Sequence, residues 1–197
     1  MQYIPRPTRH RYFIAFMVEG EAKKEIDQLR EEISKKFDVH AALKIPPHIT
    51  LIPPFDTSKI NDLADPLEKA CTTIAPFPLH IYNFEHFSDR VWYLHIKPST
   101  ELVETRQKLY NIYLKTLAPQ DRITLHPEND QRPFTAHITL AYKDLTPEKF
   151  RQIQAFLADR KVELRVSFNN ISILKYHQHH WEIEHQFKTG PLSQASF

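Results

Sequence analysis

Glycine is scarce in this sequence, and its scarcity excludes one class of phosphate site. Only Gly20 and Gly190 occur among 197 residues, whereas average usage is about 7%. Glycine-rich loops bind nucleotide phosphates because a backbone without Cβ atoms can approach the phosphate closely. We therefore expect any bound phosphate to be held mainly by side chains.

Cysteine and long apolar runs are also scarce. Cys71 is the single cysteine, so no internal disulfide can form, which is typical of a reducing compartment. No run approaches the roughly 20 apolar residues that a membrane helix needs. Residues 1–7 lack the apolar segment of a signal peptide. We expect a cytoplasmic protein that does not associate with membranes.

Neither charge nor composition is extreme. The formal net charge is +2, which is too small to predict a nonspecific coat of nucleic acid but permits a local basic groove. Hydrophobic residues make up 41% of the chain and charged residues 25%, as in globular proteins. The length fits one domain or two small lobes. Because no feature indicates an obligatory protein partner, we expect a monomer.

Against this background, one tetrad occurs twice. His-Ile-Thr-Leu stands at residues 48–51 and again at residues 137–140, a little under half the chain apart. Both copies lie in apolar segments rich in branched residues, which favour strands. Two copies of one polar pair predict two equivalent half-sites that face a common groove.

Strand geometry gives each copy a polar face. Alternate side chains of a strand point to the same side, so His48 and Thr50 share a face, as do His137 and Thr139. Their backbones are about 7 Å apart along the strand, close enough for both side chains to contact one phosphate. The apolar residues between them face the core.

These residue types predict phosphoryl chemistry. Histidine has an unperturbed pKa of roughly 6.5 and exchanges protons near neutral pH. Two histidines on opposite sides of a phosphorus can activate a nucleophile and protonate a leaving oxygen. Threonine hydroxyls can bind the non-bridging oxygens, where charge develops. This set of residues needs neither a metal nor a nucleotide cofactor.

The two stretches PPHITLIPPF and PFTAHITLAY resemble the 2H phosphoesterase superfamily, which includes 2'-5' RNA ligases and cyclic phosphodiesterases. The resemblance implies that His48, Thr50, His137 and Thr139 occupy the catalytic positions of the family. It also implies that Tyr142 lines the groove, where family members carry tyrosine or arginine.

Two departures accompany the resemblance. Tyr142 has the strand parity of the apolar Leu140, so a bulge or twist is needed to turn its side chain toward the groove. Ala136 replaces the proline that many members carry before the second histidine, which changes backbone stiffness but not chemistry.

The resemblance implies an α+β fold of two pseudo-symmetric lobes, each an antiparallel sheet with outer helices, around a central groove. We treat residues 1–197 as a single bilobal domain with tails at 1–10 and 188–197. The implied function is a metal-independent phosphoesterase that acts on the 2',3'-cyclic phosphate of RNA ends or nucleotides, by hydrolysis or by 2'-5' RNA ligation. The alternative is a catalytically idle protein that binds RNA or nucleotides in the same groove.

Hydrophobic periodicity and turn residues place the elements along the chain. Predicted strands cover 11–18, 48–52, 79–87, 91–97, 162–168, 171–177 and 180–187, an edge strand 39–45, and helices 21–37, 58–74, 100–117 and 146–157. Ser58 and Thr146 are candidate N-caps, and Pro147 suits the first helical position after Thr146. Pro66 predicts a kink or a later helix start. Prolines on both sides limit the strand at 48–52. The polar connection 119–132 fits either a functional loop or a solvated linker.

Two further groups of residues have alternative interpretations. A histidine cluster invites comparison with a metal site, but no cysteine or carboxylate completes a recognised spacing, so we predict none. That cluster comprises His177, His179, His180 and His185. Aromatic residues in one predicted hairpin could stack on bases, although a core role is favoured. They are Tyr82, Phe84, Phe87, Trp92 and Tyr93.

Overall fold

The computed structural model describes residues 8–121, 123–124 and 133–191. Its strands are β1 (His10–Met17), β2 (His48–Thr57), β3 (Phe77–Phe87), β4 (Val91–Ile96), β5 (Ile123–Thr124), β6 (His137–Tyr142), β7 (Glu163–Phe168), β8 (Asn170–His177) and β9 (His180–Lys188). Its helices are α1 (Gly20–Phe37), α2 (Ile60–Cys71), α3 (Thr100–Thr116) and α4 (Pro147–Leu157), with 3₁₀ turns at Ala41–Lys44 and Pro119–Asp121.

Within the described residues the strands form two antiparallel sheets. The first has the order β5-β2-β1-β8-β9 and the second has the order β6-β4-β3-β7. The sheets meet where β2 approaches β6. The predicted α+β fold of two lobes around a groove is therefore confirmed.

The lobes exchange helices along the chain. Helix α1 follows a strand of the first sheet but packs on β6 and β7 of the second sheet and on α4. Helix α3 follows a strand of the second sheet but packs on β2 and α2. Each lobe is consequently assembled from both halves of the sequence.

Local signals explain where two of the helices begin. The Ser99 hydroxyl accepts a hydrogen bond from the backbone N–H of Leu102 at the start of α3. At the start of α4 the Thr146 hydroxyl accepts from Lys149, and Pro147 occupies the first turn. Serine, threonine and proline favour these positions because the first amides of a helix lack partners within it. The cap predicted at Thr146 is confirmed.

The proposed limit of β2 is wrong. The strand continues through Pro53 and Pro54 to Thr57 instead of stopping near Ile52. These prolines oppose the single residue Phe13 in β1, because the register shifts between Tyr12 and Ile14. A bulge of this kind leaves residues out of the ladder, so the missing proline N–H groups cost no pairing there.

The predicted edge strand at 39–45 is also wrong, because the segment contains the 3₁₀ turn Ala41–Lys44. Its first amides donate to one carboxylate oxygen of Asp144, at 2.6 Å from His40 and 2.8 Å from Ala41. A buried arginine, Arg30 of α1, donates to the carbonyls of Ala42 and Ile45. These long-range partners satisfy the turn without any sheet ladder.

Other boundaries differ slightly from the prediction. Helix α2 begins at Ile60 with Lys59 as its N-cap residue, so Ser58 does not cap it, and Pro66 lies inside the helix. Strand β1 includes His10 and β9 includes Lys188, which the sequence assigned to tails. Most of the connection 119–132 lies outside the described residues.

Asn170 connects β8 to the end of β1 and yields a stability prediction. Its side chain is fully buried, accepts from the Met17 amide at 3.0 Å and donates to the Met17 carbonyl at 2.9 Å. Asn170→Ala should lower the free energy of unfolding by about 2–3 kcal/mol, because both backbone groups lose their partner. Urea denaturation measures the change. The exposed Asn111→Ala should change it by less than ~0.5 kcal/mol; equal losses would refute the assignment.

Candidate active site

Both copies of the tetrad fold in the same way. In β2 the pairs Thr50–Ala15 and Ile52–Ile14 leave Leu51 as an extra residue. In β6 the pairs Thr139–Tyr93 and Ala141–Trp92 leave Leu140 as an extra residue. The fourth residue of each tetrad is therefore a β-bulge, a device that redirects the side chains that follow it. The repeat in sequence is a repeat in backbone geometry.

The two histidines are held in the same orientation. The Nδ1 atom of His48 lies 2.8 Å from the carbonyl of Pro46, and Nδ1 of His137 lies 2.8 Å from the carbonyl of Thr135. A carbonyl only accepts, so each ring donates its Nδ1–H to the residue two positions earlier. This bond leaves each Nε2 atom to give or take a proton.

Aromatic rings fix the planes of both imidazoles. The ring centroid of His48 lies 5.1 Å from that of Phe13, at an angle of 51°. The ring of His137 lies 5.2 Å from Tyr93 and 5.0 Å from Phe87, which meets it edge-on. These contacts restrict ring rotation and make the surroundings less polar.

Burial lowers the pKa of both histidines, since desolvation disfavours the charged imidazolium. The pKa of His48 falls to about 4, with further lowering by the charges of Arg30 and His137. The pKa of His137 is lowered mainly by burial and also by His95, which faces it across the β4–β6 pair. The charge of His137 is the smallest of these contributions at His48, and its direction is the one expected for two histidines that face one groove.

Two adjoining cavities contain the paired side chains. The first, of about 340 Å³, contains His48 with Thr139 from the other sheet; the second, of about 530 Å³, contains His137 with Thr50. Thr50 lines both cavities. The groove thus brings together all four side chains that the sequence singled out, each histidine with a threonine of the opposite strand.

Tyr142 also lines the first cavity. The bulge at Leu140 reverses the alternation of the strand, so Tyr142 reaches the groove although simple parity placed it with buried Leu140. Burial raises its pKa, so the phenol stays protonated and can donate a hydrogen bond. The sequence analysis predicted that Tyr142 needs a bulge or twist to face the groove, and the bulge at Leu140 meets that condition.

The sequence interpretation missed four cationic side chains in these cavities. The first cavity contains Arg11, Arg30 and Lys143, and the second contains Arg106, whose guanidinium lies 4.7 Å from the ring of Phe134. A signal for two of them was present, because Arg30 stands between Ile26 and Ile33 in the apolar stripe of α1. Arg106 is partly buried and lies between Leu102 and Leu109 in the corresponding stripe of α3. A charge at a buried helical position is unusual unless it faces a partner or a cavity.

The histidines near the chain end do not assemble a metal site among the described residues, where no three His, Cys, Asp or Glu side chains converge suitably. His177 and His180 instead lie 3.8 Å and 2.6 Å from carboxylate oxygens of Glu182. The ring of His185 stacks on Phe187.

The aromatic hairpin divides between core and groove. Trp92 is buried and stacks on Phe150, as a core residue does. Tyr93 is also buried but contacts His137, while Phe87 is 38% exposed and lines the second cavity. The core interpretation is therefore correct for Trp92 and Tyr93, whereas Phe87 lines the groove.

Comparisons with solved structures agree on the fold. TT0787 of Thermus thermophilus aligns over 92% of this chain and 100% of its own, with a TM-score of 0.66 and 16% identity. LigT of E. coli in its apo form aligns over 92% of this chain and 98% of its own, with a TM-score of 0.60 and 14% identity. Among the described residues, no helix is long and apolar enough to cross a membrane.

Comparisons with sequences identify the family. A Geobacillus sp. (strain WCH70) protein named "Putative phosphoesterase" is 25% identical over 176 residues, which are 87% of this chain and 94% of that protein. A Bacillus pumilus protein of the same name is 24% identical over 155 residues, 77% and 82% of the two chains. The model of the 2'-5' RNA ligase superfamily matches residues 18–180. The chain therefore belongs to the 2'-5' RNA ligase superfamily of two-histidine phosphoesterases.

Proposed function

We propose that this protein opens 2',3'-cyclic phosphates at RNA ends or on nucleotides, without a metal, by in-line displacement at phosphorus. The observation that carries the proposal is the matched orientation of His48 and His137, each with Nδ1 fixed by a carbonyl and Nε2 available. Two such groups in adjoining cavities can serve the attacking and the leaving oxygen of one phosphate. A site for binding alone would not require two titrating groups at equivalent positions.

The chemistry follows from this arrangement. An oxygen nucleophile attacks phosphorus while the histidine beside it takes its proton. The bond from phosphorus to one ribose oxygen breaks, and the opposite histidine protonates that oxygen. Thr50 and Thr139 donate hydrogen bonds to the non-bridging oxygens, and Tyr142 is placed to donate another. Water as nucleophile yields a 2'- or 3'-monophosphate, whereas an RNA 5'-hydroxyl yields a 2'-5' linkage.

Crystal structures of a protein with a similar fold, in complex with nucleotides, support a nucleotide substrate. LigT of E. coli was crystallised with 3'-AMP and with NADP+. A 3'-monophosphate is the product expected when water opens a 2',3'-cyclic phosphate and the 2'-oxygen leaves. Cytoplasmic location, as predicted from the single cysteine, would give such an enzyme access to RNA ends.

A substrate panel tests the proposal. We expect turnover of 2',3'-cyclic mononucleotides, or of oligonucleotides ending in a 2',3'-cyclic phosphate, to persist in excess EDTA. Liquid chromatography separates the monophosphate products, and oligonucleotides with a free 5'-hydroxyl report ligation as longer products. The double variant His48→Ala/His137→Ala is the control for contaminating phosphodiesterases. Absence of turnover on every cyclic phosphate would contradict the proposal, as would activity that EDTA abolishes and Zn²⁺ or Mn²⁺ restores.

A further inference from the structure

The first cavity has a strongly biased charge. Three cations line it, Arg11, Arg30 and Lys143, together with His48, and none of its lining residues is acidic. The chain as a whole is nearly balanced, with 26 basic and 24 acidic residues. A cavity walled by one sign of charge concentrates ligands of the opposite sign. Its preferred ligand is therefore an anion.

Arg30 is the most informative of the three cations. The residue is only 3% exposed, and its Nε atom has no hydrogen-bond partner among the described residues. An oxygen of the Asp27 carboxylate lies 3.6 Å from the Nη1 atom of Arg30, which is longer than a direct hydrogen bond. The guanidinium also donates from Nη2 to the carbonyls of Ala42 and Ile45, so its hydrogen-bonding capacity is only partly used. A buried charge that lacks a full set of partners is costly, and an anion bound at the floor of the cavity would offset that cost.

Lys143 and Arg11 complete the cationic wall. Lys143 is exposed at the cavity mouth, where its Nζ lies 5.2 Å from the centroid of the Tyr142 ring. Arg11 lies 5.9 Å from the ring of Tyr176 and 3.3 Å from a carboxylate oxygen of Asp56. The cations thus extend from the floor to the rim of the cavity.

The aromatic lining indicates what else the ligand carries. Phe13, Tyr176 and Trp181 line the same cavity, with Trp181 edge-on to Phe13 at 4.6 Å and near Tyr176 at 5.2 Å. Phe13 is buried, whereas Tyr176 is 37% exposed and Trp181 is half-buried. Exposed aromatic faces beside cations are typical of sites that stack a nucleobase and bind its phosphates. The cavity therefore suits a nucleotide better than an inorganic anion.

We propose that Arg30 and Lys143 bind a second phosphate of the substrate in the first cavity, beside the phosphate held by the histidines and threonines. This inference rests on the proposed function and narrows its substrate class. A 2',3'-cyclic phosphate carries a single negative charge, which the histidine–threonine centre already accommodates. The additional cations select a substrate with a further phosphate, either a 5'-monophosphate or the adjacent diester of an RNA strand.

Kinetics with three related substrates test the proposal. They are adenosine 2',3'-cyclic phosphate, its 5'-phosphorylated analogue, and the dinucleotide ApA ending in a 2',3'-cyclic phosphate. We expect kcat/KM to be at least ~10-fold higher for one of the two substrates with a second phosphate, mainly through a lower KM. The reason is that hydrogen bonds from cations to a phosphate are stronger than hydrogen bonds between neutral groups. The preferred substrate identifies the source of the second phosphate. Equal values for all three would overturn the proposal.

Variants locate the effect in this cavity. Lys143→Gln removes the charge at the rim and keeps a similar side-chain length. The ratio of kcat/KM between the preferred substrate with a second phosphate and adenosine 2',3'-cyclic phosphate should therefore fall to ~3-fold or less. Arg30→Lys keeps the charge but loses the guanidinium geometry, and in the folded protein it should also reduce this ratio. The matched control is Lys44→Gln, an exposed lysine of the 3₁₀ turn that does not line the cavity. A preference that survives in Lys143→Gln would refute the assignment.

A binding experiment separates this proposal from the proposed function. Calorimetry should show adenosine 3',5'-bisphosphate binding at least ~10-fold more tightly than adenosine 3'-monophosphate, and Lys143→Gln should remove most of the difference. If this holds while no cyclic phosphate is turned over, the subsite stands and the proposed function fails. If cyclic phosphates are turned over but the two nucleotides bind equally, the subsite fails and the function stands.

Discussion

Replacing either His48 or His137 by alanine should lower kcat/KM for cyclic phosphates by at least ~10²-fold, the usual loss when general acid–base catalysis is removed. Each ring has its Nδ1 fixed by a carbonyl and its Nε2 available for one proton transfer. Because the two transfers involve different oxygens of the phosphate, one histidine cannot replace the other. Steady-state kinetics on the best substrate of the panel measures the loss. Thr50→Val and Thr139→Val should cost less, because each removes one phosphate contact.

The double variant should be far from additive. Once one proton transfer is lost, the displacement no longer proceeds through the concerted route, so removing the second histidine costs little more. His86→Ala is the matched control, because His86 also bonds a nearby carbonyl through Nδ1, at 2.7 Å from Ser88, but lines neither cavity. Near wild-type turnover in either single histidine variant would refute the catalytic assignment.

The sequence was sufficient to predict that His48, Thr50, His137 and Thr139 face a groove, because the geometry that orients each pair is local. A strand alternates its faces every residue, so the spacing of His48 and Thr50 alone predicts a shared face, and the same holds for His137 and Thr139. The second copy of the tetrad added the prediction that two such faces meet at a common groove, which a single motif cannot give. The cap at Thr146 and the short turn between the strands at 79–87 and 91–97 were predictable for the same reason, since their partners lie within a few residues.

What the sequence did not predict depends on distant partners. The bulge at Leu140 exists only because β6 pairs with β4 in a particular register, and that register turns Tyr142 toward the cavity. The 3₁₀ turn at 41–44 depends on Asp144, about a hundred residues away in the chain. Arg30 was overlooked because a helical pattern identifies a buried position without showing the cavity that it faces.

The pH dependence of catalysis should be shifted to the acidic side. In the free protein the pKa of His48 is about 4, and that of His137 is also lowered below 6.5. Catalysis needs one neutral and one protonated histidine. As the pH rises, loss of the first proton creates the active state and loss of the second destroys it. We therefore expect a bell-shaped profile of kcat/KM whose limbs both lie below pH 6.5.

Substrate binding should move this profile in a defined direction. A bound phosphate places negative charge beside both rings, which favours the protonated forms and raises their pKa values. The descending limb of kcat, which reports the complex, should therefore lie at higher pH than that of kcat/KM, which reports the free enzyme. Both limbs are macroscopic constants of the coupled pair, so they are not assigned to single residues.

Ring titration by NMR provides the residue-level check. The imidazole signal that disappears in His48→Gln should titrate near pH 4 in the free wild-type protein, and the signal that disappears in His137→Gln should titrate below 6.5. Because burial is the main cause of both shifts, high salt should change them little, whereas exposed charges would be screened. A descending limb of kcat/KM at or above pH 6.5, or ring signals that titrate there, would show that the groove does not desolvate the histidines as the structure requires.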